Sequence, residues 1–390
     1  MSRERALTVA GAMSGTSADG IDVAIARIAG GKTGVKLQLL AHESFSFPAG
    51  LRRALLEAQD ARAISVATLA RLRTRLGLEY ADAIASTLRE HGLKIDLAGC
   101  HGQTIYHQGT PATFLGRNFA TSWQLLDPAP VVERLRVPVI SDFRAADVAA
   151  GGQGAPLVPM LDYEFFRSRT EHRVLQNLGG IGNMTLLPAS VARDGVLAFD
   201  TGPANMVIDA LMRKLYDRGL DREGAVAGRG IAREKIVRQV LRADFFRKAP
   251  PKTAGREQFG DKFTAEFLRQ CRKAKVRDQD AIATATLLTA ASIRIAIEKF
   301  ARPSMTDGKI HLIVSGGGAR NATLMRFLAE QTAPLGCVVK TSDQLGMPSQ
   351  AKEAAAFALL AWKTWHRLPG NVPSATGAKH PAVLGRISYA

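Results

Sequence analysis

The sequence predicts an α/β protein built from two duplicated halves, and three observations carry that prediction. A strand, a glycine turn and a second strand open the chain; the same pattern returns near residue 172; and 390 residues exceed what one small core organises. In the first copy LTVAGAM, SGTSADG and IDVAIARI succeed one another over 7–28. A third strand follows in VKLQLLAHESFSF, with Val35, Leu37 and Leu39 on one face. Residues 49–92 place Leu51, Leu55, Leu69, Leu72 and Leu76 at helical spacing, and a strand returns over 95–99. It ends at the polar cluster Cys100, His101, Gly102, Gln103 and Thr104. A helix through 131–135, the strand VPVIS and a glycine-rich connection over 149–155 follow, before the opening pattern recurs.

The second copy reads HRVLQNL, GGIG, NMTLLP, then VLAFD and another glycine turn. Helices follow over 205–301, then the strand IHLIVS, the turn GGGARN, the helix ATLMRFLAEQ, a helix over 351–365 and a Pro/Gly-rich tail. The recurrence lies in structure rather than in residue identity. It predicts two α/β domains with a cleft between them.

Composition excludes several classes. Hydrophobic residues at 46% and charged residues at 22% describe an ordinary globular chain, not a disordered one. A formal charge of +17 favours anionic partners, yet Arg52, Arg53, Arg71, Arg73, Arg213, Lys214, Arg272 and Lys273 are scattered, with no basic tail. They read as solvated helix faces, and no nucleic-acid partner is expected. Cys100, Cys271 and Cys337 have neither zinc nor disulfide spacing. The apolar run after the basic head MSRER is short and leads to GTSADG without a cleavage site. No uninterrupted apolar run approaches the ~18 residues that span a bilayer. The expectation is a cytoplasmic protein without a membrane partner.

Phosphate binding needs backbone N–H groups turned toward one point, which glycine permits. Three loops qualify, each after a predicted strand: Gly15, Thr16, Ser17, Ala18, Asp19 and Gly20; Gly179, Gly180, Ile181, Gly182 and Asn183; Gly316, Gly317 and Gly318. Any one alone is also an ordinary hairpin turn or helix entry. Two decoys fall away. Gly30, Gly31, Lys32 and Thr33 mimic the end of a P-loop, but Ala26 stands where the first glycine belongs. Gly15 to Asp19 misses the last glycine of a serine-hydrolase elbow and leads to a strand. Asp200, in the run FDTGP, ends a strand before a helix. It fits either a base that orients an attacking hydroxyl or water, or a helix N-cap. Asp142, Arg144 and Asp147 precede another glycine-rich segment, and His101 and Gln103 end an earlier strand, where α/β proteins often hold substrate. His101 and His107 lack metal-ligand spacing with an acidic partner, so no zinc site is expected and no metal ligand is named.

Taken together these segments resemble the anhydro-N-acetylmuramic acid kinase family. The blocks run almost end to end: Met13 to Asp22, HGQT at 101–104, DFRAADVAAGGQGAP at 142–156, 177–183, FDTGP at 199–203, 250–257, 316–321 and 371–377. The resemblance implies an actin-like α/β fold of duplicated ribonuclease-H-like domains, residues 1–137 with 372–390 and residues 138–371. It implies ATP and Mg2+ as cofactors and a small-molecule sugar substrate, and it allows a homodimer. The implied reaction converts 1,6-anhydro-N-acetylmuramic acid, ATP and water into N-acetylmuramic acid 6-phosphate, in recycling of cell-wall fragments. Asp200 would be its base. Gly15, Thr16, Ser17, Ala18, Asp19, Gly20, Ile21 and Asp22 would wrap the phosphates with Gly179, Gly180, Asn183 and Gly202, and Gly316, Gly317 and Gly318 would lie near the adenosine. His101, Arg144, Asp147 and Glu353 would face the sugar. The chain departs from the family at Ala18, at Leu126–Asp127 where IGNP is usual, at Thr253–Ala254, and at Glu223. The second of these bears on which sugar is held. An actin-like ATPase acting as a sensor, or a kinase for another amino sugar, are the alternatives.

Overall fold

The computed structural model describes residues 6–31 and 34–390; the basic head and the Lys32 and Thr33 of the P-loop decoy lie outside the described residues. In chain order the strands are β1 (Leu7–Met13), β2 (Gly20–Gly31), β3 (Gly34–Ser46), β4 (Leu97–Cys100), β5 (Gln103–Phe114), β6 (Arg117–Leu125) and β7 (Val139–Ser141). There follow β8 (His172–Leu178), β9 (Ile181–Leu187), β10 (Leu197–Pro203), β11 (Ile310–Ser315), β12 (Cys337–Thr341) and β13 (Arg386–Ser388). The chain divides into two compact units, Met1–Phe165 with Ala351–Ala390, and Phe166–Gln350.

In the first unit β1, β2 and β3 form an antiparallel meander, β4 runs parallel to β1 and β7 parallel to β4. In the second, β8, β9 and β10 form the meander, β11 runs parallel to β8 and β12 parallel to β11. Both sheets therefore share one order, third-second-first-fourth-fifth, and the first adds β13 at its edge. That repetition is the duplicated ribonuclease-H-like pattern of the actin-like fold. The even spacing of Val35, Leu37 and Leu39 holds only to the middle of β3, where the register with β2 shifts between Ile25 and Ala26. The extra residue is a bulge, which resets the faces.

The helix Lys352–Trp365 belongs to the first unit. Its residues 354–364 are all buried. Glycines let it lie directly on the sheet: a Cβ at Gly11 would meet the Ala354 carbonyl at 2.0 Å, and one at Gly99 the Phe357 carbonyl at 2.5 Å. Two nearly buried ion pairs, Lys352 to Asp162 and Lys363 to Glu164, both at 2.7 Å, tie it to the helix Pro159–Phe166. These contacts move the divisions to 165/166 and 350/351, away from the expected 137/138 and 371/372. In addition β7, placed in the second domain by the sequence reading, pairs with β4 and β13 of the first unit. In the second unit the helical segment Asp278–Ser304 is long and apolar enough to cross a membrane, but 89% of its most apolar window is buried. It is a core helix, packed with Leu211, Phe246, Phe267 and Leu324.

Candidate active site

In the second unit Asp200 stands opposite Asn183 on β10, and the ladder shifts between Asp200 and Gly202. The bulge is held by Thr201, whose hydroxyl donates to the Gly182 carbonyl at 3.0 Å and accepts from Gln176 at 3.3 Å. Gly202 takes φ +143° with Phe246 2.9 Å from where its Cβ would be, so this corner requires glycine. The backbone N–H of Asp200 donates to the Lys252 carbonyl at 3.0 Å, and its Oδ2 accepts from the Ala254 N–H at 2.7 Å. Burial raises its pKa from the ordinary 3.8 to about 6; the Ala254 N–H and the Lys252 charge oppose the rise, and Glu257 adds to it. The helix Asn205–Tyr216 begins after Ala204 and has no side-chain cap. Asp200 is thus a strand carboxylate at a bulge and not a helix N-cap. Because Ala254 contributes its main chain, the departure at that position leaves the contact intact.

The two glycine turns of this unit meet at the start of that helix. Gly179 accepts from the Asn205 N–H, and Gly180 from those of Ala204 and Met206, each at 3.0 Å. The Asn205 side chain donates to the Leu178 carbonyl at 2.9 Å and reaches the edge of the turn at Gly317 and Gly318. Sequence reasoning did not single out Asn205; its place immediately after FDTGPA was the available clue.

The predicted phosphate-loop glycines fall into two kinds. A Cβ at Gly20 would strike the Phe45 carbonyl at 2.1 Å, at Gly316 the Asn177 side chain at 2.5 Å, and at Gly318 Leu178 at 2.6 Å. Packing explains them. A Cβ at Gly15, Gly180 or Gly317 would meet nothing closer than 3.9, 3.4 and 3.9 Å respectively, and none has a positive φ. Nothing in the protein requires glycine there, which suits close approach by a ligand such as a triphosphate.

In the first unit the Gly15 turn is closed by the Ala18 N–H on the Gly15 carbonyl, with Ala18 at φ +51°, and Gln103 donates to the same carbonyl at 2.9 Å. Thr16 and Ser17 are exposed, Asp19 is paired with Arg52 at 2.8 Å, and Ile21 lies in the core. Ile21 therefore packs the sheet and offers no loop contact. Asp22 accepts from Ser44. His101, buried at the end of β4, accepts at Nε2 from Arg144 Nε at 3.0 Å. Burial, then the Arg144 charge, holds its pKa well below the usual histidine value, so the ring is neutral. Arg144 also donates to the Gly154 carbonyl at 2.7 Å, and burial lowers its pKa to about 10 against the pull of Glu353 and Asp147. The Glu353 carboxyl is raised by burial and by Asp22, against Arg144 and Lys352. Asp22, His101, Arg144 and Glu353 form one linked polar cluster.

Asp147 differs from its neighbours. It is fully buried, and its oxygens accept from the Gly154 N–H, the Asn371 amide and the Thr376 hydroxyl at 2.7–2.8 Å. It has no face open to a sugar; it ties the Arg144 segment to the tail. Leu126 is buried behind Gly102, and Asp127 pairs with Arg73 at 3.2 Å and bonds the Ala129 N–H at 3.2 Å. That departure serves the packing of the helix Ala129–Leu135.

Among the described residues, the one group of three His, Cys, Asp or Glu side chains close enough to share an ion is Glu43, Glu90 and His91, none of them in the predicted phosphate loops.

Paired ribonuclease-H-like sheets, each with glycine turns at strand ends and one with a bulge-held carboxylate, define an actin-like kinase. More narrowly, the chain belongs to the family described as anhydro-N-acetylmuramic acid kinase, whose model matches residues 7–390. The protein of that name from Caldanaerobacter subterraneus subsp. tengcongensis is 40% identical over 385 residues, 97% of this chain and 96% of that one. Its namesake from Salinibacter ruber is 41% identical over 384 residues, 98% and 96% of the two chains. The Bacillus cereus protein is 39% identical over 384 residues, 98% and 99%.

Proposed function

We propose that this chain is an ATP-dependent kinase that hydrolytically opens 1,6-anhydro-N-acetylmuramic acid and phosphorylates it to N-acetylmuramic acid 6-phosphate, a cytoplasmic step in the recycling of cell-wall fragments. The observation that carries the proposal is family membership over residues 7–390. The chemistry asks for one base. Asp200, with a pKa near 6, is mostly ionised at neutral pH and still basic enough to take a proton. It removes a proton from a water that attacks the anomeric carbon; the C1–O6 bond breaks, and O6 takes the γ-phosphoryl group as ADP leaves. The open-faced glycines Gly15, Gly180 and Gly317 suit the nucleotide, with the Thr16 and Ser17 hydroxyls free to add donors. Magnesium, when bound with the nucleotide, neutralises phosphate charge. His101, Arg144 and Glu353 are the sugar ligands of the proposal, and Asp147 positions Arg144.

The test is turnover of ATP, magnesium and the anhydro sugar in oxygen-18 water, with products read by mass spectrometry. The expected product is a 6-phosphate carrying one heavy oxygen at the anomeric hydroxyl. ATP hydrolysis that leaves the sugar unphosphorylated, or phosphorylation of a different sugar only, would sink the proposal.

A further inference from the structure

Lys252 is a cation where the fold does not need one. Its side chain is 5% exposed, with Nζ 4.7, 5.4 and 5.7 Å from the ring centres of Phe245, Phe300 and Phe199. Nζ donates to the Phe245 carbonyl at 3.2 Å, and no described carboxylate lies within ion-pair distance. An apolar side chain of the same length would fill this cage without the cost of burying an ammonium. Its main chain, meanwhile, grips Asp200. The Lys252 carbonyl accepts from the Asp200 N–H, and two residues later the Ala254 N–H donates to Asp200 Oδ2. One wall of the cage is Phe199, the residue before Asp200.

We infer that Lys252 is a positioning residue for Asp200: its caged side chain anchors the segment that clamps the carboxylate, and its charge holds that carboxylate ionised. The inference rests on the reading of Asp200 as the base. The charges around the pair are few. Glu257 opposes ionisation of Asp200, Lys299 repels the Lys252 ammonium, and Asp244, Arg247 and Lys248 line the cavity of about 700 Å³ that Lys252 and Thr253 also border. Burial and Lys299 lower the Lys252 pKa to about 8 while Asp200 attracts its proton, so across neutral pH both groups are charged and each supports the other. A glutamate or aspartate pairing directly with Lys252 would have removed that support; the cage of neutral rings preserves it.

The experiment pairs kinetics with direct titration. In Lys252→Met the acid limb of kcat/KM, and the Asp200 carboxyl midpoint read by carbon-13 NMR against Asp200→Asn, move up by on the order of one pH unit, with ATP affinity unchanged. By linkage the Lys252 ε-carbon midpoint in Asp200→Asn falls below its wild-type value, a measurement that survives if Lys252→Met does not fold. Lower turnover in Lys252→Met with an unmoved acid limb would mean a merely structural lysine, and an unmoved Lys252 midpoint in Asp200→Asn would overturn the coupling. Either result with Asp200→Asn inactive leaves the base reading standing; an active Asp200→Asn overturns that reading instead.

Discussion

Asp200 costs the fold something, and the cost has a pH signature. Its pKa is raised from 3.8 to about 6, chiefly by burial, so the folded state holds a proton that the unfolded chain releases between those values. Stability contributed by this group is therefore greatest below about 4 and is lost as pH rises through about 6. At about 1.4 kcal/mol per pH unit, and discounting for partial exposure, ionised Asp200 destabilises the fold by about 1–3 kcal/mol. Asp200→Asn, which keeps an acceptor for the Ala254 N–H, is expected to unfold at higher urea than wild type at pH 7.5 and at nearly the same urea at pH 4. A variant equally stable at both would mean that the carboxylate is better solvated than its setting indicates. The type and place of this residue were legible in FDTGP. Its setting was not: the choice between strand end and helix cap turned on a bulge held by Gln176 and Thr201, and on an N–H supplied from Ala254, 54 positions away. Asp147 shows the same limit. Sequence marked it as important, but whether its oxygens face a sugar or the tail residues Asn371 and Thr376 depends on contacts more than 220 positions apart.

At the scale of elements, the glycine turns were the most legible feature, because a strand followed by clustered glycines has few other readings. Which glycines serve packing and which serve approach was illegible, since that depends on the neighbouring strand. The distinction is testable. Gly202→Ala forces a Cβ onto φ +143° and against Phe246, and is expected to destabilise the second unit by about 1–3 kcal/mol. Gly317→Ala makes only an ordinary contact, with the Asn205 side chain at 3.9 Å, and its φ is not positive, so its urea midpoint stays at the wild-type value while ATP affinity falls on the order of tenfold, about 1.4 kcal/mol. Denaturation and calorimetric titration of the two variants separate the effects; ATP affinity unmoved in Gly317→Ala would remove that turn from the nucleotide site. The ribbon of β5 and β6, in contrast, was missed. Its residues alternate poorly and much of it is exposed, so neither period marks it in the sequence.

The whole molecule carries a feature that only long-range contact reveals: the second unit is inserted into the first. The sequence placed the tail with the N-terminal third, but gave the helix Lys352–Trp365 to the other half. An all-round apolar helix such as KEAAAFALLAWKTW does not say which sheet covers it; only the missing side chains of Gly11 and Gly99, hundreds of positions earlier, say so. The first unit must therefore close through its tail, and Asn371 is a fastening point. It is fully buried, donates to Asp147 and to the His380 carbonyl, and accepts from the Ala382 N–H. Asn371→Ala leaves Asp147, a fully buried carboxyl group, with one donor fewer, and leaves the Ala382 N–H unpaired, a loss of about 2–4 kcal/mol. Each unit has its own core, so the loss belongs to the first alone. Hydrogen exchange on the full-length variant is expected to show faster exchange in β1, β4 and β7 while β8 and β11 keep wild-type protection. Equal loss of protection in both sheets would show instead that the chain unfolds as one cooperative body, and that the tail secures the second unit as much as the first.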